Sequence, residues 1–521
     1  MDNTQAAGQR YTLKYLKIYV WQGLSILLNL CSLFVVLPSI STNKGLYGIY
    51  SVCIALTIFL SYVDLGFINA GVKFAAEHFA RGEKEEEKRT ISFSVTILAV
   101  FVLLYAVIVT YTAFHPQSLF RDLNPAEKDI AHKLLLTLAI FSPLVVLQRT
   151  LQIIFQIRVE DYIFQGVLIC SNLLKIFSVF YFFRKDHYDV VGYFVFYQSC
   201  SFLGLIVANV IAQLRYKLSF FSICRYLGFQ KDIFDKTKHL ALSSLALTIS
   251  WVLYYEIDPY VLARISTPQI IAVYSVGLTL LSFFRAIFGA LYSPFNARFN
   301  HLMAVNDENA LRGLYSSVIT FLLPLVVFPI LTVVILAKPF IFSWVGPQFA
   351  DGVWAARFLV LSNILGFIAY PCSILLIAQK KVRALYVISF IQPFLYWAGI
   401  ALFYPVIGFT IFAICKWLSF LLIGVLYFVI TLRYLNINLL GFLKRYIIPV
   451  LPSLICLILL GYLGVQFLPL TKGIHNLLLV IGAGGMLCLI ALVLYYCFSA
   501  VFREYINSIF GKVRTRTAMS R

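Results

Sequence analysis

Five basic side chains fall inside long apolar runs of this 521-residue chain, and all but one lie near the middle of their run. They are Arg149, Lys175, Arg285, Lys416 and, nearer the end of its run, Arg357. A cation at the centre of a membrane costs about 2.5–3.5 kcal/mol on insertion scales, so each of these side chains needs a partner or a function. A group of buried cations predicts a polar cavity that binds an anion.

Acidic residues are scarce near the same runs and lie towards their ends. They are Asp64, Glu256 and Asp258. Pairing with the basic residues, for example Arg285 with Glu256, is the simplest structural interpretation. The alternative is ion coupling, in which one of these acids gains a proton or a metal cation on one side of the membrane and loses it on the other. The sequence leaves both interpretations open.

Neutral polar residues recur at helical spacing in several of the runs. Asn29 follows Gln22 and Ser25, Gln152 follows Arg149, and Asn172 precedes Lys175. Spacings of three, four and seven residues put each set on one helix face, which must turn towards a neighbouring helix or water. Hydrogen bonds between helices explain much of the Ser and Thr content. Asn29, Gln152 and Asn172 remain candidate substrate contacts beside the basic residues.

The elements that must position these residues are transmembrane helices. The chain is 61% hydrophobic and only 12% charged, whereas soluble domains are about 25% charged. A span needs roughly 20 apolar residues. Such runs predict an all-α integral membrane protein with fourteen spans, centred near Leu28, Ile54, Phe101, Val146, Leu173, Leu203, Trp251, Leu280, Val326, Leu365, Leu395, Phe420, Leu457 and Gly485. The loops between them are too short for a soluble domain.

The charge distribution predicts the orientation. Lys and Arg outnumber Asp and Glu by 42 to 22, and in a soluble protein that excess would suggest nucleic-acid binding. With a cytoplasmic N-terminus, 28 basic residues lie inside and nine outside. This bias follows the positive-inside rule and predicts that both termini are cytoplasmic, with no nucleic-acid partner. The first run is long enough to remain as a span, so we expect no cleaved signal.

An internal echo indicates two halves. Ile49–Leu60 and Val273–Phe284 share five identities in twelve positions, each in the second span of its half. We expect two parallel six-helix bundles, residues 1–214 and 240–432, joined by a cytoplasmic linker at 215–239. Residues 433–521 add two accessory helices, which carry no charge in their spans, and a basic cytoplasmic tail.

The segment after the second predicted span, DLGFINAGVKFAAEHFARGE (Asp64 to Glu83), starts with an acid. Asp64 is expected to line the cytoplasmic mouth of the cavity. Val72, Ala75 and Phe79 share one helical face opposite Lys73 and Glu77. This amphipathic pattern predicts a helix that lies on the membrane surface.

Four stretches resemble one family. They are GLYGIYSV (Gly45 to Val52), the segment just quoted, YYEIDPYVLARISTPQIIAVYSVG (Tyr254 to Gly277) and FIFSWVGPQFADG (Phe340 to Gly352). They are similar to bacterial polysaccharide flippases of the O-antigen, Wzx-like type, in the multidrug/oligosaccharidyl-lipid/polysaccharide (MOP) exporter superfamily. One departure is Pro259, where the family often has a basic residue after the Asp that matches Asp258, so a ligand role there is in question.

The resemblance implies a non-enzymatic transporter in the bacterial cytoplasmic membrane, without a cofactor or metal. It implies turnover of an undecaprenyl-pyrophosphate-linked oligosaccharide from the inner to the outer leaflet for surface polysaccharide synthesis. The expected partners are that glycolipid, other polysaccharide assembly proteins and, as an open point, H⁺ or Na⁺. The cationic interior would suit the pyrophosphate, the polar faces the sugars, and the accessory helices the polyprenyl tail.

Two alternative functions stay open. An ion-coupled small-molecule antiporter of the MATE type would be expected to have twelve spans and deep acids. A glycan polymerase or ligase would need a catalytic acid or base, usually on a large outer loop. The longest predicted outer loop, 115–133, carries no pair of carboxylates arranged for catalysis.

Overall fold

The computed structural model describes residues 2–60, 62, 64, 66–184, 187–305, 307–378 and 382–507. Within these, the side chains of residues 2–16, 19, 239, 240, 243, 293, 294, 296, 297, 377, 378 and 382–385 are outside the description. The chain divides into two compact units, Met1–Ala272 (unit 1) and Val273–Arg521 (unit 2). The predicted bundle and linker boundaries at 214 and 240 are not tested by this division and stay a prediction.

Unit 1 is built from helices, with one short 3₁₀ turn and one two-stranded hairpin. Its helices are α1 (Asp2–Ile40), α2 (Lys44–Leu60), α3 (Phe67–Arg81), α4 (Lys84–Phe114), α5 (Pro125–Phe141), α6 (Leu144–Ile157), α7 (Asp161–Phe182), α8 (Val190–Tyr216), α9 (Phe220–Cys224), α10 (Lys231–Tyr255) and α11 (Asp258–Ile265). The 3₁₀ turn is Pro116–Ser118, and antiparallel strands β1 (Phe183–Arg184) and β2 (His187–Tyr188) join α7 to α8.

The next helix, α12 (Pro268–Val305), begins in unit 1 and continues into unit 2. The remaining helices of unit 2 are α13 (Glu308–Ile335), α14 (Ala337–Trp344), α15 (Val353–Leu361), α16 (Gly366–Ala378), α17 (Val382–Ile407), α18 (Thr410–Tyr434), α19 (Leu439–Phe442), α20 (Leu451–Val465) and α21 (Ile474–Phe498). Short 3₁₀ turns cover Pro347–Gly352 and Ile448–Val450, and a π turn covers Leu443–Ile447.

Ten described helices are long and apolar enough to cross a membrane, or twelve if two bent pairs each form one span. The bent pairs are Pro125–Phe141 with Leu144–Ile157, and Pro347–Leu361 with Gly366–Leu376. Two shorter apolar helices, Lys44–Leu60 and Ser244–Tyr255, coincide with the second and seventh predicted spans. The chain is therefore a multi-pass membrane protein, and the full count of fourteen stays a prediction.

The break between α2 and α3 explains the acid that follows the second apolar run. The Asp64 carboxylate accepts a hydrogen bond from the Ile68 backbone N–H at 3.2 Å, which satisfies one unpaired donor at the start of α3. Gly66 adopts a left-handed conformation with φ of 82°, and a side chain there would overlap Ser244. Asp64 and Gly66 thus form a turn that redirects the chain without leaving the helix end uncapped.

The apolar face of α3, which the amphipathic pattern assigned to the membrane surface, packs in part against other helices of unit 1, and the position of α3 relative to the membrane stays a prediction. α3 packs extensively against α4 and also against α6 and α10. Phe67 and Ala70 of α3 form a cluster with Phe93 of α4 and Ile233 and Ala241 of α10, with the Phe67 and Phe93 ring centroids 6.2 Å apart. The amphipathic pattern was present, but its buried face is covered by other helices of the same unit.

Candidate functional site

The polar face of α6 holds the most accessible basic side chain of unit 1 among the predicted site residues. Arg149 is partly buried, and its Nη1 donates to Gln152 Oε1 at 3.0 Å. Its positive charge also acts on the carboxylate of Asp64 at the α2–α3 break. The structure therefore brings together three residues that the sequence placed on two different spans. Gln152 orients the guanidinium, and the Asp64 carboxyl group lies close enough to interact with it electrostatically.

Aromatic side chains lie beside Asp64 in the chain and on the facing end of α10. Trp251 Nε1 donates to the Tyr62 hydroxyl at 3.1 Å, and the Trp251 and Tyr255 ring centroids are 4.0 Å apart. Trp251 keeps 36% of its surface exposed. This arrangement gives the α2–α3 break a rigid, partly exposed aromatic surface with polar edges. The sequence placed Trp251 and Tyr255 on a polar stripe, but it gave no reason to include Tyr62.

Lys175 is placed differently from Arg149. Only 8% of its surface is exposed, and its Nζ lies 3.9 Å from the centroid of the Tyr197 ring on α8. Asn172 accepts a hydrogen bond from the same ammonium group at 3.3 Å. A cation over the face of a tyrosine is stabilised by the ring quadrupole, and more strongly when water is excluded. In this conformation the Lys175 ammonium group and the side-chain oxygen of Asn172 have partners within unit 1.

The three predicted basic residues of unit 2 have separate surroundings. Lys416 is fully buried, with its Nζ 5.1 Å from the centroid of the Tyr396 ring on α17. Arg357 donates from Nε to the Val334 carbonyl at 3.1 Å and lies over the Trp354 ring at 4.6 Å. Arg285 is partly buried on α12, as Arg357 is on α15 and Arg149 is on α6.

The remaining predicted residues lie on α1 and at the bend between α10 and α11. Asn29 is exposed on α1. Glu256 and Asp258 flank the bend between α10 and α11 and are buried, with 7% and 0% of their surfaces exposed. Among the described residues, no group of three or more His, Cys, Asp or Glu side chains could hold a metal ion.

A close contact at the start of α2 was not identified from the sequence. We call it the Gly48 junction, and it consists of Gly45, Gly48, Glu127, Pro268 and Gln269. A methyl group on Gly48 would overlap the Pro268 carbonyl oxygen, and one on Gly45 would overlap the Glu127 carboxylate. Glu127 is 7% exposed; it caps α5 through Asn124 and accepts from Gln269 Nε2 at 3.4 Å. The starts of α2, α5 and α12 therefore meet with almost no space between them.

A second group that the sequence did not reveal lies where α6 turns into α7. We call it the α6–α7 corner, and it consists of Phe79, Glu87, Arg158, Val159, Glu160, Arg215 and Tyr216. Arg158 Nη2 lies 2.6 Å from Glu87 Oε1, with the two side chains 10% and 3% exposed. The guanidinium lies between the rings of Phe79 and Tyr216, at 4.7 and 5.0 Å from their centroids.

The same corner contains a second ion pair and a strained residue. Glu160 accepts from Arg215 Nε at 2.8 Å and from the Tyr216 hydroxyl at 2.5 Å. Val159, between the two ion-paired residues, has φ of 54°. A β-branched residue in the left-handed region is a genuine outlier, and it persists only where its surroundings determine it. The two ion pairs on either side supply that constraint.

The comparisons with known proteins identify a fold. No protein-family model matches the chain, and no curated protein matches it by sequence. A solved structure of the lipid II flippase MurJ, in an inward closed conformation, matches with a TM-score of 0.65 at 16% identity, over 93% of this chain and 99% of that one.

Two multidrug transporter structures also match. An inward-facing MATE family transporter of the MOP superfamily gives a TM-score of 0.57 at 14% identity, over 78% of this chain and 94% of that one. A point mutant of the Vibrio cholerae MATE transporter VcmN gives a TM-score of 0.56 at 13% identity, over 85% of this chain and 100% of that one. At these identities the likeness shows the fold alone, which this chain shares with the matched flippase and transporter structures.

Proposed function

We propose that this protein is a flippase that moves an undecaprenyl-pyrophosphate-linked oligosaccharide from the cytoplasmic to the outer leaflet of a bacterial inner membrane. The observation that carries the proposal is the partly exposed Arg149, held on a polar helix face within a MurJ-like fold that extends over 93% of the chain. A guanidinium forms two parallel hydrogen bonds to phosphate oxygens, which an ammonium group cannot reproduce. Surface polysaccharide synthesis is the process that such turnover would serve.

The other proposed substrate contacts follow from their exposure. Arg285 is partly exposed and is proposed to bind the same anion at another stage of the cycle. Asn29, Gln152 and Asn172 offer hydrogen bonds to sugars. Lys175, Arg357 and Lys416 are held on aromatic rings in this conformation. We propose that these three residues attract the anionic substrate through their positive charge and do not contact it directly.

The Gly48 junction is proposed to close the outer end of the transport pathway. With the N-terminus in the cytoplasm, α1 crosses once and α2 begins at the outer surface. In alternating access, one end of the pathway closes while the other opens. A contact without free space at the outer end suits a protein whose substrate enters from the cytoplasm.

Membrane potential can drive this direction of transport. The pyrophosphate carries roughly two negative charges, and the cell interior is negative. Moving each charge outward across about 100 mV is therefore favoured by about 2.3 kcal/mol. The empty protein must then return to its starting conformation. Asp64, Glu256 and Asp258 remain the proposed coupling acids for that return, with H⁺ or Na⁺ as the ion.

Flipping by the purified protein in proteoliposomes tests the function directly. A fluorescent polyprenyl-pyrophosphate glycan should cross the bilayer only when the protein is present. Arg149→Ala should slow flipping by about 10- to 100-fold, the equivalent of one charged hydrogen bond at about 1.5–3 kcal/mol. Arg149→Lys should retain part of the rate, and Arg184→Ala, an exposed control, should change nothing. Normal flipping by Arg149→Ala would remove Arg149 from the site, and no flipping by the unsubstituted protein would refute the function.

The same vesicles discriminate the second candidate, an ion-coupled small-molecule antiporter. The matches to MATE transporters and the acid next to Arg149 favour this alternative. An antiporter would exchange a small cationic dye for H⁺ or Na⁺ when a pH or sodium gradient is imposed, and it would need no lipid-linked substrate. Asp64→Asn should abolish that exchange. A flippase should ignore the dye.

Cysteine labelling tests the orientation on which the proposal depends. Gln117 and Lys472 are exposed in loops that the charge bias predicts to be outside, and Glu85 is exposed at the start of α4, which the same bias predicts to be inside. In intact cells stripped of the outer envelope, cysteines at Gln117 and Lys472 should react with an impermeant thiol reagent, and a cysteine at Glu85 should not. The reverse pattern would mean that the protein has the opposite orientation.

A further inference from the structure

A groove lies between α1, α7 and α8 of unit 1, with a volume of about 630 Å³. We call it the α1–α7–α8 groove. Its walls are mostly aliphatic, and Leu174, Leu203 and Val207 are 55%, 59% and 51% exposed. On membrane-length helices, exposed side chains of this type face acyl chains and not water. The groove is therefore a depression in the lipid-facing surface of the unit.

Small residues make the groove. Gly166 of α7 lies beneath the Trp21 ring of α1, and a methyl group there would be 3.5 Å from that ring. Gly204 of α8 lies against Ser171, whose hydroxyl donates to the Cys200 carbonyl at 2.7 Å. These contacts satisfy the polar atoms of the groove floor internally, so the surface left to a ligand is apolar.

One end of the groove carries a positive charge. Lys17 lines it, with its Nζ 5.6 Å from the centroid of the Tyr162 ring. The two carboxylates that precede Tyr162 in the chain have other partners, because Glu160 accepts from Arg215 and Asp161 accepts from Gln165. A lysine with an aromatic neighbour at the end of an apolar groove complements an anionic headgroup at the membrane interface.

The length of the groove indicates its occupant. From Tyr162 to Leu174 the α7 axis rises by about 18 Å, at about 1.5 Å per residue. One leaflet of the hydrocarbon core is about 15 Å thick. The groove therefore matches a single acyl chain with its headgroup at Lys17. A polyprenyl chain is longer than one leaflet is thick and would extend beyond it.

We propose that the α1–α7–α8 groove is a binding site for an anionic phospholipid, with one acyl chain along α7 and the headgroup phosphate on Lys17. The site is separate from the Arg149 face and does not depend on the identity of the transported substrate. Because the lipid would contact three helices of one unit at once, its presence would stabilise their packing. Anionic phospholipid content of the membrane then becomes a condition for full stability of unit 1.

Trp21 lines the groove and reports its occupant. The full-length protein is placed in nanodiscs of neutral phosphatidylcholine that contain a minor fraction of either brominated phosphatidylglycerol or brominated phosphatidylcholine. The Trp21 contribution to fluorescence quenching is the difference between the unsubstituted protein and Trp21→Phe. Phosphatidylglycerol should be preferred about fivefold, the factor expected for one lysine near an anionic surface. Lys17→Gln should remove the preference, and Lys84→Gln, another exposed lysine outside the groove, should keep it.

A second variant tests the apolar part of the site. Val207→Phe adds bulk to the groove wall and leaves Lys17 in place, so phosphatidylglycerol retained by the purified protein in native mass spectrometry should fall as it does for Lys17→Gln. Equal Trp21 quenching by the two brominated lipids would refute the proposal. So would quenching that a polyprenyl pyrophosphate relieves and phosphatidylglycerol does not, because the groove would then hold the substrate tail.

Discussion

Gly48→Ala is expected to abolish transport while the protein still inserts into the membrane. In an ordinary helix this change would stabilise by about 0.8–1 kcal/mol, since alanine has the higher helix propensity. At Gly48 the added methyl group overlaps the backbone carbonyl oxygen of Pro268, which cannot rotate away as a side chain could. The starts of α2 and α12 must therefore separate, and the junction can no longer close.

Cys53 provides the measurement. It is fully buried on α2, near Tyr105 of α4 and Tyr260 of α11. Separation of α11 and α12 from α2 should expose this thiol. Mass spectrometry of the protein after brief maleimide treatment should find Cys53 unmodified in the unsubstituted protein and modified in Gly48→Ala. Flipping assays on the same samples should show loss of activity.

Gly23→Ala is the matched control. Gly23 is also a helical glycine, but a methyl group there meets no atom within 4 Å. Its transport rate and the protection of Cys53 should be unchanged. If Gly48→Ala transports normally and keeps Cys53 protected, the Gly48 junction does not have to close during the cycle.

The largest loss of stability is expected from Glu87→Gln or Arg158→Met alone. Either change leaves one buried charge of the α6–α7 corner without its partner, and breaking a buried pair costs about 3–5 kcal/mol. The unfolding free energy in mixed micelles should fall by that amount. The contacts between α3 and α4 should be lost with it, because Glu87 lies in the first turn of α4 and Arg158 lies over Phe79 of α3.

A double substitution separates the ion pair from simple packing. Glu87→Leu combined with Arg158→Met replaces both charges by apolar groups and should recover most of the lost stability. The exposed pair Asp129–Lys133, with side chains 57% and 53% exposed, is the control, and Lys133→Gln should cost less than about 1 kcal/mol. If Glu87→Gln and Arg158→Met each lower the unfolding free energy no more than Lys133→Gln does, the buried ion pair does not stabilise the α6–α7 corner as proposed.

The sequence predicted what depends on local composition. Apolar length located the helices, and helical spacing placed Arg149 and Gln152 on one face, where a 3.0 Å hydrogen bond joins them. Lys175 and Asn172 were likewise paired by spacing and are hydrogen-bonded at 3.3 Å. These are contacts between residues three apart on one helix, and helix geometry alone determines them.

Contacts between distant segments could not be predicted in the same way. The capping box of Asn124 and Glu127 is a local signal for a helix start, and nothing near it indicates that Glu127 also reaches Gln269. Gly48 resembles any glycine in an apolar helix until Pro268 is brought against it. The amphipathic pattern of α3 predicts an apolar face, but it does not predict whether lipid or another helix covers that face. In the structure α4 and α10 pack against it.

Helix α12 connects the Gly48 junction to Arg285 through one continuous stretch of helix. It begins at the Gly48 junction with Pro268 and Gln269 and is continuous past Arg285. The rise of about 1.5 Å per residue puts Arg285 about 24 Å along the axis from Gln269, so a tilt of about 10° at the junction would move Arg285 by about 4 Å. If the Gly48 junction closes and Arg285 binds the anion as proposed, both events act on the same continuous helix. A force applied at Arg285 would then be transmitted along α12 to its first turn.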